Sequence, residues 1–177
     1  MCPKTRRDPV VLRELSLPED VLALRPIILE YLTFISSELL TNYGITLDPE
    51  RLVAAMMERR EVFLPPLGHS FVAKDRGELL GTVFLKPLEA EKVELKRLYV
   101  QPEAQGRGLG RRLLHHAESA ARRMGAKALY LDTLRSLHGA RALYDSEGFE
   151  IVDIYPGSEL LDFPEVQACA VFMRKPL

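Results

Sequence analysis

Three of the eleven glycines, Gly106, Gly108 and Gly110, fall within five residues of one another, between a run that reads as a strand (93–100) and one that reads as a long helix (108–124). No other feature restricts the fold as much. Glycine takes positive φ at no steric cost and lets a neighbouring atom approach the backbone closely, so a strand can pass directly into a helix here while its amide hydrogens converge on one point. Beyond the turn, Leu109, Leu113, Leu114, Ala117, Ala120, Ala121 and Met124 recur on one helical face, and Gly125 stands where a helix C-terminus favours glycine.

The rest of the chain is read outward from this point. Upstream, residues 70–74, 79–86 and 93–100 are extended runs separated by Asp75-Arg76-Gly77 and by 87–92, the pattern of an antiparallel meander. Before them, residues 10–15 read as a first strand, and Pro18-Glu19-Asp20 opens a helical stretch. A main helix follows from about Pro26, with Ile28, Leu32, Ile35 and Leu39 on one stripe and Gly44 at its end. Asp48-Pro49-Glu50 is an N-cap with proline at the first helical position, leading Leu52, Val53, Met56 and Met57 into a second helix. Downstream, residues 128–133 are apolar enough for a strand covered on both faces, 137–147 form a shorter helix closed by Gly148, and 150–155 and 168–174 are the last two strands. The order β-α-α-β-β-β-α-β-α-β-β is that of an α/β chain with one mixed sheet. With 177 residues, no repeat and no linker, we expect a single domain over 1–177 with a flexible 1–8, large enough to bury roughly 70% of its unfolded surface.

Charge locates the interesting chemistry. The chain carries 24 Lys+Arg and 25 Asp+Glu, net −1, which excludes a bulk nucleic-acid binder. From 96 to 127, however, there are eight bases and two acids, net +6, against −7 in the remainder. No apolar run approaches the roughly 18 residues of a membrane span, and residues 1–9 lack the apolar core of a secretory signal. Two isolated cysteines, Cys2 and Cys169, point to a reducing compartment, the cytoplasm by default. His115 and His116 are adjacent and so diverge on a helix, and no other His/Cys grouping has ligand spacing, so no metal is expected.

Helix-start amides, a positive dipole end and Arg107, Arg111 and Arg112 around the glycines together indicate a phosphate or diphosphate ligand. GxxxxGK[ST] is absent, and GxGxG behind a meander is not the GxGxxG of a dinucleotide fold. Gln105-x-x-Gly108-x-Gly110 after Leu98-Tyr99-Val100 instead resembles the pyrophosphate motif (Gln/Arg-x-x-Gly-x-Gly/Ala) of the GNAT superfamily of N-acetyltransferases. Ala142-Leu143-Tyr144 followed by Glu147-Gly148-Phe149 is similar to that family's A-L-Y-x-x-x-G-F signature, and the resemblance spans about 79–149.

The resemblance implies a splayed mixed sheet flanked by helices, with acetyl-coenzyme A as co-substrate in the V between two parallel strands. It implies that backbone groups of Leu98, Tyr99 and Val100 pair with the pantetheine arm. Gln105, Gly106, Arg107, Gly108, Leu109, Gly110, Arg111 and Arg112 would hold the diphosphate. Tyr144 matches the tyrosine that protonates the departing sulfur, and the N–H of Val100 would serve the oxyanion. Many members carry Asn seven residues before the tyrosine; here Leu137 stands there, leaving Ser136 or backbone groups for that contact. Strand alternation puts Glu94, Lys96, Leu98 and Val100 on one face, making Glu94 the leading general base, with a salt bridge to Lys96 or Arg97 as its rival role.

The expected activity is direct transfer of acetyl to a primary amine, the acceptor a small amine or amino acid. Seven acids and no base between 145 and 165 favour a cationic one. The other readings are a non-catalytic acyl-coenzyme A sensor or interaction module, a protein N-terminal or lysine acetyltransferase, and a nucleic-acid binder using the basic middle. The oligomeric state is open, a homodimer included.

Overall fold

The alternating apolar residues before the glycine turn fold as an antiparallel meander of β2 (His69–Asp75), β3 (Glu78–Pro87) and β4 (Lys92–Val100). The computed structural model describes residues 10–89 and 91–177; Cys2 and the tail expected at 1–8 lie outside the described residues. To the meander are added β1 (Val11–Leu15) on one edge, and β5 (Ala128–Leu134), β6 (Glu150–Val152) and β7 (Ala170–Pro176) on the other. The seven strands run β1-β2-β3-β4-β5-β7-β6, antiparallel everywhere except between β4 and β5. The expected mixed sheet is therefore present.

Helices cover both faces. α1 (Pro18–Leu22), α2 (Arg25–Tyr43) and α3 (Pro49–Glu58) pack with Val72, Phe84 and Tyr99 on one side. On the other, α4 (Leu109–Arg123) and Tyr144 of α5 (His138–Ser146) pack with Phe71, Val83 and Leu85. Neighbours in sequence such as Phe84 and Leu85 go to opposite cores, as strand geometry requires. Local chemistry sets the helix ends as expected: the Asp48 carboxylate accepts from Arg51 N at 3.2 Å, and Gly44 closes α2 at φ 70°. Leu113 and Leu114 are wholly buried under the sheet and anchor α4, and with it the loop at its start. Truncating either to alanine costs about 2–5 kcal/mol.

Two departures from regularity make the site. The parallel strands β4 and β5 pair only at Lys92/Ala128, Val93/Leu129 and Glu94/Tyr130. Beyond these pairs β4 continues to Val100 and β5 to Leu134 with no partner between them, so the sheet splays into a V. Within β4, Phe84 stands opposite Lys96 but Thr82 opposite Tyr99, so two steps on β3 match three on β4. The extra residue is Arg97, in the left-handed region at φ 51°.

This bulge corrects the expected face assignment. Glu94, Lys96 and Tyr99 lie on the α2/α3 side, whereas Leu98 and Val100 join Val93 and Leu95 against α4. The final strands also differ from expectation. β6 stops at Val152 because Tyr155 turns in between Tyr130 and Phe172, with ring centroids 4.9 and 6.0 Å away. β7 begins at Ala170, because Ala168 and Cys169 complete the last turn of a short helix, α6 (Pro164–Gln167).

Candidate active site

The V opens into a cleft of about 940 Å³. At one end is the glycine turn. Gly106 and Gly108 have φ of 70° and 74°, Gly108 is the N-cap of α4, and a methyl group on either would meet nothing within 4 Å, so the turn presents bare backbone to the cleft. Gly110 lies close to Leu143 and Val100, and Leu109 is buried beneath the turn. The Gln105 amide donates to the Val100 carbonyl at 3.0 Å, tying the loop to the end of β4. Leu98, Tyr99, Val100, Gln105, Gly106, Gly108, Leu109, Gly110 and Arg111 all line the cleft, as does Tyr144.

The arginines have protein partners. Arg111 pairs with Glu147 at 2.6 Å and donates to Ser146, Arg107 stands 3.7 Å from Asp75, and Arg112 donates to the Val10 carbonyl at 2.9 Å. Arg107, Arg112 and Glu94 stand outside the cleft lining. Leu137 lines the cleft where many members carry Asn; the Ser136 hydroxyl is buried without a partner among the described residues and does not reach the lining.

A splayed β4/β5 pair holding a glycine-turned helix start in its opening is the arrangement the loop motif implied. The family model described as acetyltransferase (GNAT) family matches residues 33–149, from α2 through the Gly148-Phe149 pair. The chain belongs to the GNAT acetyltransferase family. It is 35% identical over 149 residues to the uncharacterized N-acetyltransferase YjgM of Escherichia coli (strain K12), covering 81% of this chain and 83% of that one. With the uncharacterized N-acetyltransferase C1271.07c of Schizosaccharomyces pombe it shares 31% identity over 141 residues, 78% of this chain and 82% of the relative. Its fold matches that of the PaiA N-acetyltransferase of Thermoplasma acidophilum, solved in complex with coenzyme A, at a TM-score of 0.66 and 23% identity over 96% of this chain and 100% of that one.

In this acetyl-coenzyme A-dependent N-acetyltransferase a buried charge cluster lies where the V closes, beside the Glu94/Tyr130 pair. Lys96 Nζ is 3.0 Å from Asp132, 3.4 Å from Glu94 and 3.6 Å from Glu159. Lys86 stands 3.4 Å from Glu94 and donates to the Gly157 carbonyl, and the Tyr155 hydroxyl donates to Glu94 at 2.9 Å. Glu94 is wholly enclosed; burial, then the Asp132 charge, push its carboxyl upward against the pull of Lys96 and Lys86. For Lys96, burial favours the neutral amine, but Asp132, Glu94 and Glu159 outweigh it and hold the ammonium firmly protonated. Burial also raises Glu159, yet Lys96, Arg97 and Lys86 more than reverse this and hold it at about 2.

Tyr144 faces the cleft with its ring on Phe149, and its hydroxyl has no hydrogen-bond partner among the described residues. Burial, then the nearby Tyr31 and Asp132, raise it above the usual tyrosine value, so it stays a proton donor through neutral and mildly alkaline pH.

Asp132, Tyr31 and the acid–base pairing of Glu159 with Lys96 were not anticipated from sequence. One signal was there: Asp132 is a lone acid inside an otherwise apolar strand. No group of three or more potential metal ligands occurs among the described residues, and none of their helices is long and apolar enough to cross a membrane.

Proposed function

We propose that this acetyltransferase moves acetyl from acetyl-coenzyme A directly to a primary amine bound in the same cleft, without an acyl-enzyme, the acceptor being a small amine or amino acid. The observation that carries this reading is that one continuous cleft joins the glycine turn to Tyr144 and the Lys96–Asp132–Glu159 cluster. The coenzyme A bound to the similar PaiA fold supports the same placement.

The amides of Gly106, Gly108 and Gly110, at the positive end of α4, receive the diphosphate. Leu98, Tyr99 and Val100 present backbone to the pantetheine arm, because β4 has lost its neighbour there. When the amine nitrogen attacks the thioester carbonyl, the N–H of Val100 stabilises the oxyanion. As the C–S bond breaks, the Tyr144 hydroxyl gives its proton to the departing sulfur, and the amine releases one proton to solvent, from which Tyr144 is reprotonated. Glu94 reaches the cleft only through Lys96, Lys86 and Tyr155, which favours its role as their counter-ion over direct proton abstraction.

Thiol release from acetyl-coenzyme A across amino acids, polyamines, aminoglycosides and peptide N-termini tests the reading. At least one amine should turn over, and Tyr144→Phe should lower kcat roughly 100-fold while leaving coenzyme A affinity unchanged. Binding of acetyl-coenzyme A with no thiol release from any amine would make the protein an acyl-coenzyme A sensor instead, and an unchanged kcat in Tyr144→Phe would remove the acid from the scheme.

A further inference from the structure

We propose that the acceptor carries a carboxylate beside its amine, in the manner of an apolar α-amino acid, and that Arg97, assisted by Arg59, holds that carboxylate; this rests on the acetyl-transfer reading above. Arg97 projects from the bulge toward the α2/α3 side, with its guanidinium 5.7 Å above the Phe63 ring. Its side chain is 11% exposed and lines the cleft. Yet the guanidinium makes no hydrogen bond among the described residues: the nearest carboxylate oxygen, on Glu159, is 3.9 Å away, and Nε is buried without a partner. Buried donors are satisfied almost everywhere in folded proteins, so a guanidinium left open in a cleft implies an acceptor brought by the ligand.

The other cations of the lining are occupied. Lys96 faces three carboxylates, Lys86 faces Glu94, Glu159 and the Gly157 carbonyl, and Arg111 is paired with Glu147. Arg59, at the end of α3, also lines the cleft and forms no ion pair among the described residues. Arg97, whose single ion pair is the 3.9 Å contact with Glu159, and Arg59, which is exposed to solvent, are therefore the two lining cations without a hydrogen bond to a side chain or carbonyl among the described residues. They also stand apart from the diphosphate cradle, because the bulge turns Arg97 away from the α4 side on which the glycine turn sits.

Charge on the opposite wall does not favour a polyamine. Glu159 is already neutralised by Lys86 and Lys96, leaving Asp162 as the lining acid without a basic partner among the described residues. A second cationic centre near Arg97 would meet like charge. The surrounding wall is apolar, with Phe34, Ile35, Leu52, Met56, Leu160 and Phe163, which suits an aliphatic or aromatic side chain.

A carboxylate in this position has two sources, the acceptor or a dicarboxylic acyl group on coenzyme A, and the experiment separates them. Protein loaded with coenzyme A is titrated with leucine, methionine and phenylalanine and with their carboxamides, and thiol release is then followed with acetyl- and succinyl-coenzyme A. We expect each amino acid to bind roughly ten- to a hundredfold more tightly than its amide, Arg97→Gln to erase that preference, Arg97→Lys to restore part of it, and Arg59→Gln to reduce it. Melting curves confirm that each variant folds. Equal binding of acid and amide, a preference surviving Arg97→Gln, or thiol release favouring succinyl- over acetyl-coenzyme A with a neutral amine overturns the assignment. Acetyl-coenzyme A binding without thiol release would refute the transfer reading alone, since the acid-against-amide titration still decides this one.

Discussion

Glu94→Gln removes a charge from the centre of the molecule while keeping its shape, and the geometry sets the size of the effect. The glutamine carbonyl oxygen keeps the 2.9 Å bond from Tyr155. Lys96 retains Asp132 at 3.0 Å and Glu159 at 3.6 Å, and Lys86 retains the Gly157 carbonyl at 3.2 Å and Glu159 at 3.7 Å. No cation is stranded, so the ~3–5 kcal/mol penalty of an orphaned buried ion does not apply. The 3.4 Å contact from Lys86 to the other oxygen is lost, that from Lys96 to the retained oxygen is weakened, and the cost of burying a carboxylate is relieved. The net should be about 1 kcal/mol, or roughly 2–4 °C in Tm for a chain of this size. Lys96→Met is the contrast, because it leaves Asp132 without its cation and Glu94 with Lys86 alone; it should cost about 3–5 kcal/mol, and adding Glu94→Gln should recover part of that. Thermal denaturation of the wild type, both single variants and the double variant supplies the cycle, with thiol release read in parallel. A counter-ion role predicts kcat/KM for Glu94→Gln within about tenfold of wild type, whereas a general base predicts a loss of about 100-fold or more. A loss above 3 kcal/mol in Glu94→Gln, or a double variant less stable than Lys96→Met, would refute the reasoning.

Two further outcomes follow from the loop and from Glu159. Gly108→Ala places a side chain at φ 74° at the start of α4, with a strain of about 1–2 kcal/mol, and should lower both Tm and coenzyme A affinity; Gly125→Ala, at φ 80° beyond the other end of the same helix, should lower Tm alone. Glu159 is held at about 2 in the folded protein, below the unfolded carboxyl value near 4.3, so its stabilisation is complete above pH ~4.3 and is lost as pH falls toward 2. With 36% of the side chain in solvent the contribution is about 1 kcal/mol after screening, and the Tm advantage of wild type over Glu159→Gln should shrink between pH 5 and pH 2.

Those features that follow from a period or a turn rule were legible in the sequence. The 3.6-residue stripe of α4, Gly125 and Gly148 at helix ends, and the Asp48-Pro49 cap all give their elements where expected. What escaped depends on partners distant in the chain. Arg97 is an ordinary residue until the β3/β4 register places one residue too many on β4, and alternation counted through it puts Leu98 and Val100 on the wrong side. Tyr155 reads as the end of a strand because its pull toward Glu94, 61 residues away, leaves no local trace. The acids at 145–165 read as a uniform negative rim; Glu159 differs from Glu165 only because Lys86, Lys96 and Arg97 reach it from β3 and β4.

The extra residue in β4 works as a frame shift. Below it, even-numbered positions meet α2 and α3; above it, odd-numbered ones do. The same strand without the bulge would alternate straight through Arg97: Val93 to Lys96 would stay in place and all that follows would invert, sending Tyr99 into the aliphatic packing under α4 and Val100 toward Tyr31, whereas deleting Arg97 itself would restore two steps on each strand and keep every face as it is. In that flattened strand the Tyr99 hydroxyl would lose Glu30, its partner at 2.8 Å, and the loop would lose the Val100 carbonyl that Gln105 holds. The strand is in effect two short segments spliced out of phase. The lower segment serves the charge cluster, the upper one serves the glycine turn, and each can accumulate substitutions on its own terms so long as the phase between them is kept.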